Sequence, residues 1–413
     1  MPRTTMAREN LFAQVLDPAN RPDPYPLYAR LREAPVALQN DGAYVVGTHA
    51  EIARLLHDPR ISSDERKSDS GAGALAASGK LWPEGQEDYQ PFIFLDPPDH
   101  DRLRRTVMSH FTPARVEGMR DRVARLVDEL LDKRGERGQL DVVDDLAYPL
   151  PVAVICELLG VPREDEPRFH DWAAALARSL DPVQGVPEDE VRRAAQAALQ
   201  MGEYLTNLVD ARRARPADDL LSALVAGDNP AELMNEQDLL STMALLLVAG
   251  HETTVNLISN GTLALLRHPG VLDRLRHEPD LVVPLVEEVL RYDPPVQFRT
   301  RTTLADVEVA AVTIPRGATV VLLLASGSRD PARFPEADRF VPDREDNQHL
   351  GFGGGNHYCV GAPLARIEAH IALGALARRL VAPGLVTDPP PYRQNAALRG
   401  PEHLLVQFDR LQG

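Results

Sequence analysis

The chain has 413 residues, of which 44% are hydrophobic and 26% charged, proportions typical of a soluble globular protein. Its formal net charge of −16 disfavours broad association with nucleic acid or with an anionic membrane surface. The two cysteines, Cys156 and Cys359, lie far apart and cannot form a disulfide framework, and no secretory segment is recognised. A reducing cytoplasm is therefore the expected location, and because the longest apolar run is shorter than the ~18–20 residues that span a bilayer, we expect no membrane anchor.

Most of the chain has the periodicity of helices. Apolar residues recur every three or four positions between about residues 116 and 378. Strand signals are short and lie at 44–47, 307–309, 312–314, 319–324 and 403–408. The segments 62–90 and 181–190 are polar and are predicted to be long loops. We therefore predict a mainly α protein with small β-sheets, in which residues 1–413 form one domain.

The first chemical feature is a group of cationic side chains. His100 and Arg104 stand four residues apart, on one face of a helix predicted to begin after Pro98. Arg301 lies just ahead of a predicted strand segment. Such donors suggest a bound anionic group, although a solvated basic surface is the ordinary alternative.

The longest predicted helix begins at the N-cap Asn235 and ends near Pro269. It has about 32 residues, or roughly 48 Å. Residues 245–250 are apolar on all sides, which predicts burial. They are followed by His251, Glu252 and Thr253. Two interpretations fit: a helix crossing with satisfied polar side chains, or a groove for a flat cofactor and a small molecule, with Glu252 and Thr253 supplying protons.

Further along the chain, Glu288 and Arg291 stand three residues apart on one predicted helical face. This spacing occurs in many exposed ion pairs, so it carries little information by itself.

Cys359 follows three glycines and directly precedes a predicted helix with Pro363 in its first turn. A lone cysteine is most often a small buried hydrophobe, but a helix N-terminus favours a thiolate. A phosphate loop is disfavoured, because no Gly-Lys-Ser/Thr follows, and zinc ligands are missing nearby. The thiolate could be a nucleophile, or the single ligand of a metal that another group already holds, such as haem iron.

Taken together, these motifs resemble one known family. Phe352, Gly355, His357, Cys359 and Gly361 match the cysteine signature of the cytochromes P-450, the haem-thiolate monooxygenases, in order and spacing. Glu288 with Arg291, residues 249–254 and residues 330–340 resemble that family's Glu-x-x-Arg pair, oxygen-binding groove and meander. The resemblance covers essentially the whole chain. It implies a single-domain fold with haem b between the long central helix and the helix that follows Cys359.

The resemblance also implies a role for each matching residue. Cys359 is expected to ligate the haem iron, and Glu252 and Thr253 to deliver protons during oxygen activation. The other expected haem-binding residues are His100, Arg104, Arg301, His357, Phe352, Ala249, Gly353 and Gly361. The expected structural network beneath the haem consists of Glu288, Arg291 and Arg339.

The substrate and partners follow from the same resemblance. The expected pocket residues are mostly apolar: Phe94, Leu245, Val248, Ala249, Val296, Phe298 and Ala397. They indicate a lipophilic substrate such as a macrolide, another polyketide, a terpenoid or a steroid, hydroxylated or epoxidised with O2. Likeness to soluble bacterial members implies a monomer that receives electrons from a ferredoxin and its ferredoxin reductase, with Arg102, Arg105 and Arg366 as a candidate docking patch. The alternatives are a non-catalytic haem-binding sensor and a cysteine-nucleophile hydrolase.

Overall fold

The computed structural model describes residues 10–69, 90–133, 138–178, 180–181, 187–226 and 234–412. Helices dominate these residues, as predicted. In chain order they are α1 (Leu11–Leu16), α2 (Tyr25–Arg32), α3 (His49–Leu56), α4 (Asp99–Met108), α5 (Pro113–Gly118), α6 (Arg120–Asp132), α7 (Pro149–Leu159), α8 (Glu166–Arg178), α9 (Glu188–Ala214), α10 (Leu220–Ala226), α11 (Glu236–Arg267), α12 (Pro269–His277), α13 (Val282–Tyr292), α14 (Leu324–Gly327) and α15 (Ala362–Arg379). Most of the predicted loops at 62–90 and 181–190 lie outside the described residues.

The strands are short and form small sheets. They are β1 (Val36–Leu38), β2 (Tyr44–Val46), β3 (Ile61–Ser62), β4 (Gln139–Asp141), β5 (Arg299–Thr303), β6 (Val307–Val309), β7 (Val312–Ile314), β8 (Thr319–Leu322), β9 (Leu380–Val381), β10 (Gly384–Leu385), β11 (Leu405–Gln407) and β12 (Arg410–Leu411). The largest sheet has the order β1-β2-β8-β5-β3, in which only β2 and β8 are parallel. The sheet β10-β11-β4 and the pairs β6-β7 and β9-β12 are antiparallel.

Strand β5 corrects one prediction. Arg301 lies inside this strand and pairs with Val320 of β8, so it does not merely precede a strand segment. The strand was missed because its sequence, Arg-Thr-Arg-Thr-Thr, contains no apolar residue to give the alternation that marks a half-buried strand. By contrast, β6 and β7 have the predicted bounds, and β2, β8 and β11 are shorter than predicted.

The long helix α11 forms the centre of the fold. A complete capping box defines its start: Asn235 Oδ1 accepts from the Asp238 amide at 2.7 Å, and Asp238 Oδ2 accepts from the Asn235 amide at 3.1 Å. The helix has 32 residues, and most side chains between Leu239 and Leu265 are buried. It packs against α7, α8 and α15. Among the described residues, we find no helix with the length and apolarity required to cross a membrane.

Candidate active site

A cavity of about 390 Å³ lies between α11 and the loop that carries Cys359. Leu245, Ala249 and Thr253 line it, four residues apart and therefore on one stripe of the helix. These three are more open than most of the otherwise buried middle of α11 because they face the cavity. The opposite wall includes the predicted residues Phe352, Gly353, Cys359 and Gly361. The fold therefore brings together two segments about a hundred residues apart in sequence.

The glycines before Cys359 allow the loop to bend and to pack closely. Gly353 and Gly355 have φ of +70° and +62°, the left-handed region that favours glycine. A Cβ at Gly355 would lie 2.0 Å from the carbonyl oxygen of Leu56 in α3, so only glycine fits there. The Cys359 amide donates to the Phe352 carbonyl at 3.1 Å and closes the loop. The thiol is thus held at the start of α15, facing the cavity.

The environment of Cys359 does not by itself produce a thiolate. Desolvation inside the cavity, to which the thiol is open, raises the pKa of Cys359, although the amides of Gly361 and Ala362 and the guanidinium of Arg104 act in the opposite sense. The sequence predicted that the helix N-terminus would favour the anion, and desolvation outweighs that effect. A coordinated metal cation deprotonates such a thiol outright. Cys156, in contrast, is an ordinary core residue of α7.

A basic wall forms another side of the cavity. Arg104, Arg301 and His357 line it, as predicted, and Arg299 joins them from the same face of β5 as Arg301. Arg104 also donates to the Tyr358 carbonyl at 2.6 Å. Arg299 was missed because strand β5 was missed, whereas the Arg-x-Arg alternation within a recognised strand would have indicated it. His100 does not line the cavity, since it lies behind His357 with the two ring centroids 4.2 Å apart.

The electrostatics of this wall suit an anionic ligand. Burial lowers the pKa of Arg301 to about 10, with Arg299 acting in the same direction, so the guanidinium is still charged at neutral pH. Burial lowers the pKa of His357 to about 3, helped by Arg301 and His100, so this imidazole is neutral and acts as a hydrogen-bonding group. Burial also raises the pKa of Glu65, which lies in the same part of the cavity.

These residues fit the two propionates of a haem. Arg104, Arg299 and Arg301 present guanidinium groups, whose geometry matches carboxylates, to the cavity. Nε2 of His100 is buried and has no hydrogen-bond partner among the described residues. A buried ring nitrogen without a partner indicates a polar group that the described residues do not supply. Together with a thiol facing the cavity from the adjacent loop, this donor set suits a haem-thiolate group.

Glu252 and Thr253 point in different directions, because neighbouring residues on a helix are about 100° apart. Thr253 lines the cavity, and its hydroxyl donates to the Ala249 carbonyl at 2.9 Å. Glu252 is buried and does not line the cavity; its Oε2 accepts from Arg393 Nη1 at 2.5 Å. Despite burial, His251 and Arg393 hold the pKa of Glu252 at about 2. Nothing in the local sequence indicated Arg393.

Gly250 serves the packing of α11. A Cβ at this position would meet Cδ1 and Cγ1 of Ile155 in α7 at 3.0 Å, so glycine allows α7 to approach. The sequence suggested that Gly250 leaves room for a flat cofactor. Gly250 also borders the cavity, but the Ile155 side chain of α7 occupies the space beside it.

Glu288 and Arg291 form a buried pair that ties α13 to the meander. Both side chains are fully buried, and two hydrogen bonds of 2.7 and 2.8 Å join them. Arg291 also donates to the carbonyls of Ser328 and Ala337. The burial distinguishes this pair from the exposed pairs that share its spacing.

The predicted third member of this network, Arg339, requires a correction. Only its carbonyl takes part, accepting from Arg291 at 2.8 Å, while its side chain is 68% exposed and pairs with Glu336. Arg344 contributes the side chain instead. It is 9% exposed, its Nε lies 3.4 Å from Glu288 Oε2, and its Nη1 donates to the Pro335 carbonyl at 2.7 Å.

Most of the residues predicted to form the substrate pocket line the cavity. Phe94, Leu245, Val248, Ala249, Val296 and Phe298 all line the cavity. Ala397 does not, and its neighbour Leu398 takes its place. The reason is the backbone: the Ala397 amide donates to Asp181 Oδ1 at 2.7 Å and its carbonyl accepts from Gln297, which turns Ala397 into a core cluster with Phe12.

Comparisons with known proteins agree with this geometry. A sequence profile described as Cytochrome P450 matches residues 83–408. The chain is 40% identical to cytochrome P450 monooxygenase PikC of Streptomyces venezuelae, over 94% of this chain and 92% of that one. It is 38% identical to 6-deoxyerythronolide B hydroxylase of Saccharopolyspora erythraea, over 94% and 96%. The crystal structure of ligand-free Mycobacterium smegmatis CYP164A2 superposes with a TM-score of 0.89, at 43% identity over 96% and 99% of the two chains. The chain therefore belongs to the cytochrome P450 family of haem b-dependent monooxygenases.

Proposed function

We propose that this enzyme is a haem-thiolate monooxygenase in which Cys359 ligates the iron, and that it acts on a lipophilic small molecule. The observation that carries the proposal is a single cavity with the Cys359 thiol on one wall and the Thr253 stripe of α11 on the other. When bound, the haem supplies the oxygen-activating chemistry, and its thiolate ligand favours cleavage of the O–O bond.

The basic wall is proposed to hold the haem propionates. Arg104, Arg299 and Arg301 provide three positive charges. Ionised Glu65 balances one of them, and the other two match the negative charges of two propionates. His357 adds a ring nitrogen at the same edge, and His100 packs behind it. The Phe352 ring, stacked under the Arg366 guanidinium at 4.6 Å, forms part of the wall beside Cys359.

Proton supply is the second requirement of the reaction. Inserting one oxygen atom of O2 and releasing the other as water consumes two electrons and two protons. The Thr253 hydroxyl is a proton-carrying group of α11 at the cavity surface, and the preceding residue, Glu252, is a buried acid. We assign proton delivery to this pair.

The proposed substrate class rests on the lining of the cavity. Phe94, Val248, Val296, Phe298 and Leu398 are apolar, which favours a lipophilic guest. A macrolide or another polyketide is the preferred class, because one similar enzyme is a 6-deoxyerythronolide B hydroxylase. Terpenoids and steroids share the same chemistry. Hydroxylation is the proposed outcome, and epoxidation is the alternative for an alkene.

For electron supply we propose a ferredoxin with its reductase. The docking patch predicted from the sequence is mostly neutralised: Arg102 pairs with Asp238 at 2.8 Å, and Arg366 binds Glu287 through two bonds. Arg105 is exposed on α4 and is the better candidate for contact with an acidic partner. Arg105→Glu is therefore expected to slow reduction by the ferredoxin more than Arg366→Glu does, and equal rates would remove Arg105 from the interface.

Residues 1–413 are proposed to act as one monomeric haem domain in the cytoplasm. Support for one domain comes from α11, which packs against helices on both sides, including α7 and α15. The partners of such a domain are O2, the lipophilic substrate and the ferredoxin, and its acidic net charge argues against nucleic acid.

The iron ligand is tested by the carbon monoxide difference spectrum of the reduced protein. Wild-type protein is expected to show the strongly red-shifted Soret band of thiolate ligation. Cys359→Ser is expected to lose that band, and Cys156→Ser, at a buried core cysteine, is the matched control that retains it. An unshifted band in wild-type protein would refute the assignment, and absence of haem would favour the hydrolase alternative.

The enzyme is distinguished from a sensor by product formation. The protein is titrated with a panel that contains 6-deoxyerythronolide B, a steroid and a fatty acid, while the haem spin state is recorded. Each compound that binds is then incubated with the enzyme and NAD(P)H, and its products are measured. Thr253→Ala is expected to release several-fold more peroxide per NAD(P)H. If no panel member is oxidised, the sensor alternative is favoured. If Thr253→Ala releases no more peroxide than wild type, proton delivery by Thr253 is wrong.

A further inference from the structure

The hydrogen bonding of His251 determines which ring nitrogen carries its proton. Nδ1 lies 2.8 Å from the carbonyl oxygen of Leu247, one turn earlier in α11. A carbonyl oxygen can only accept, so Nδ1 is the protonated nitrogen of the neutral ring. Nε2 is then a bare acceptor unless the ring takes up a second proton.

Nε2 of His251 faces an acceptor. It lies 3.4 Å from Oε1 of Glu252, and the two side chains are only 2% and 6% exposed. Nε2 has no hydrogen-bond partner among the described residues, and a neutral imidazole would leave two unsatisfied acceptors, Nε2 and Oε1, close together in a buried site, which is unfavourable. One proton between the two atoms removes this conflict. Arg393 occupies the other carboxylate oxygen and does not release a proton at ordinary pH.

The remaining neighbours do not satisfy Nε2. The Tyr148 ring stands perpendicular to the His251 ring, with the centroids 5.7 Å apart, and its buried hydroxyl has no hydrogen-bond partner within the described part of the chain. On the far side of Tyr148, the His170 ring of α8 lies 4.4 Å away and is exposed. The ionisable groups around this position are therefore Glu252, Arg393, Tyr148 and His170, with Cys156 and Asp171 acting on Tyr148.

We propose that His251 is a positioning residue of the reaction, which holds on Nε2 the proton that Glu252 requires for delivery to Thr253. Its proton passes to Glu252 Oε1, the neutral ring is reprotonated from solvent, and the carboxyl group passes its proton toward the cavity. One proton moves inward and no other bond changes. The inference rests on the proposed role of Glu252 and Thr253.

The decisive variant is His251→Gln. A glutamine amide can still donate hydrogen bonds to Glu252 or Leu247, but it cannot give up a proton. We expect a normal thiolate spectrum with about tenfold or more loss of coupled product formation, because positioned proton transfer contributes ~10²–10⁴-fold in enzymes. The released peroxide is expected to rise correspondingly. His277→Gln, at a histidine that is 75% exposed on α12, is the matched control and keeps wild-type coupling.

A second readout does not depend on turnover. In histidine-labelled ferrous carbonyl protein at pH 7, the ¹⁵N resonance of His251 Nε2 is expected to show a bound proton shared with Glu252, a signature that exposed His277 lacks. Glu252→Gln is expected to abolish the difference. A neutral His251 ring at pH 7, or wild-type coupling in His251→Gln, would overturn the inference. Either result leaves the thiolate spectrum intact, so it is distinguishable from failure of the proposed function.

Discussion

The replacement of Arg339 by Arg344 in the network around Glu288 leads to a paired mutational prediction. Arg344→Ala removes a side chain that reaches the buried Glu288 carboxylate and the Pro335 carbonyl. Arg339→Ala removes only an exposed pair with Glu336, because its carbonyl still accepts from Arg291. Although Arg339 was the residue implied by family resemblance, the first variant is expected to be much more destabilising.

The size of the effect follows from the contacts. A hydrogen bond to a charged group contributes about 1.5–3 kcal/mol, and a neutral one about 1 kcal/mol. Glu288 retains Arg291, the Val341 amide and the Asn347 side chain, so its charge is not left alone. We therefore expect Arg344→Ala to lower the free energy of unfolding by about 2–4 kcal/mol, less than full disruption of a buried pair and its neighbours. An exposed pair contributes about 0–1 kcal/mol.

Thermal unfolding of the haem-loaded protein, followed by circular dichroism, measures the difference. With an unfolding entropy of ~2.1 cal/mol/K per residue, 1 kcal/mol corresponds to about 1 °C in a chain of this length. Arg344→Ala is thus expected to melt about 2–5 °C below wild type and Arg339→Ala within about 1 °C. Arg344→Lys, which keeps the charge without the planar fork, is expected to lie between them. Equal losses in the two alanine variants would refute the placement of Arg344.

Three further predictions concern the cavity and its surroundings. Burial raises the pKa of Glu368 on α15 to about 8, so above about pH 4.5 the folded state retains a proton that the unfolded state has lost. The free energy of unfolding is therefore expected to fall as the pH rises from about 4.5 to 8. Glu368→Gln is expected to weaken this pH dependence in melting curves. Asp181→Asn weakens the acceptor of two loop amides, which is expected to lower stability by about 1–3 kcal/mol in urea unfolding. Arg299→Gln is expected to speed haem transfer to apomyoglobin several-fold, whereas Arg316→Gln, at an exposed position, is expected to leave the transfer rate unchanged. Equal transfer rates in the two variants would refute the proposal that Arg299 of the basic wall helps to hold the haem.

Features that depend on neighbouring residues could be predicted from the sequence. The capping box at Asn235 and Asp238 sets the start of α11, because both of its hydrogen bonds join residues three positions apart. The φ values of Gly353 and Gly355 likewise follow from local steric freedom. The spacing of the cysteine loop identified the family for the same reason, since a ligand loop is built from consecutive residues.

Other features depended on contacts between distant segments. Arg393 reaches Glu252 across 141 residues, and Arg344 reaches Glu288 across 56. No local pattern specifies such pairs, because either partner could have met solvent instead. Arg299 faces the cavity only because β5 pairs with β8 in one register, and a shift by one residue would turn it away.

The sequence by itself determined the class of protein, the long central helix and the conformation of the Cys359 loop, through local hydrogen bonding and residue spacing. Tertiary structure decided which side chains complete the site. Ala397 turned into the core while Leu398 entered the cavity, because Asp181 and Gln297 hold the backbone of that segment. His251 and Glu252 lie side by side in the interior because α11 packs against α7 and α8. Burial shifts the pKa values of ionisable side chains, and it arises only when the chain has folded.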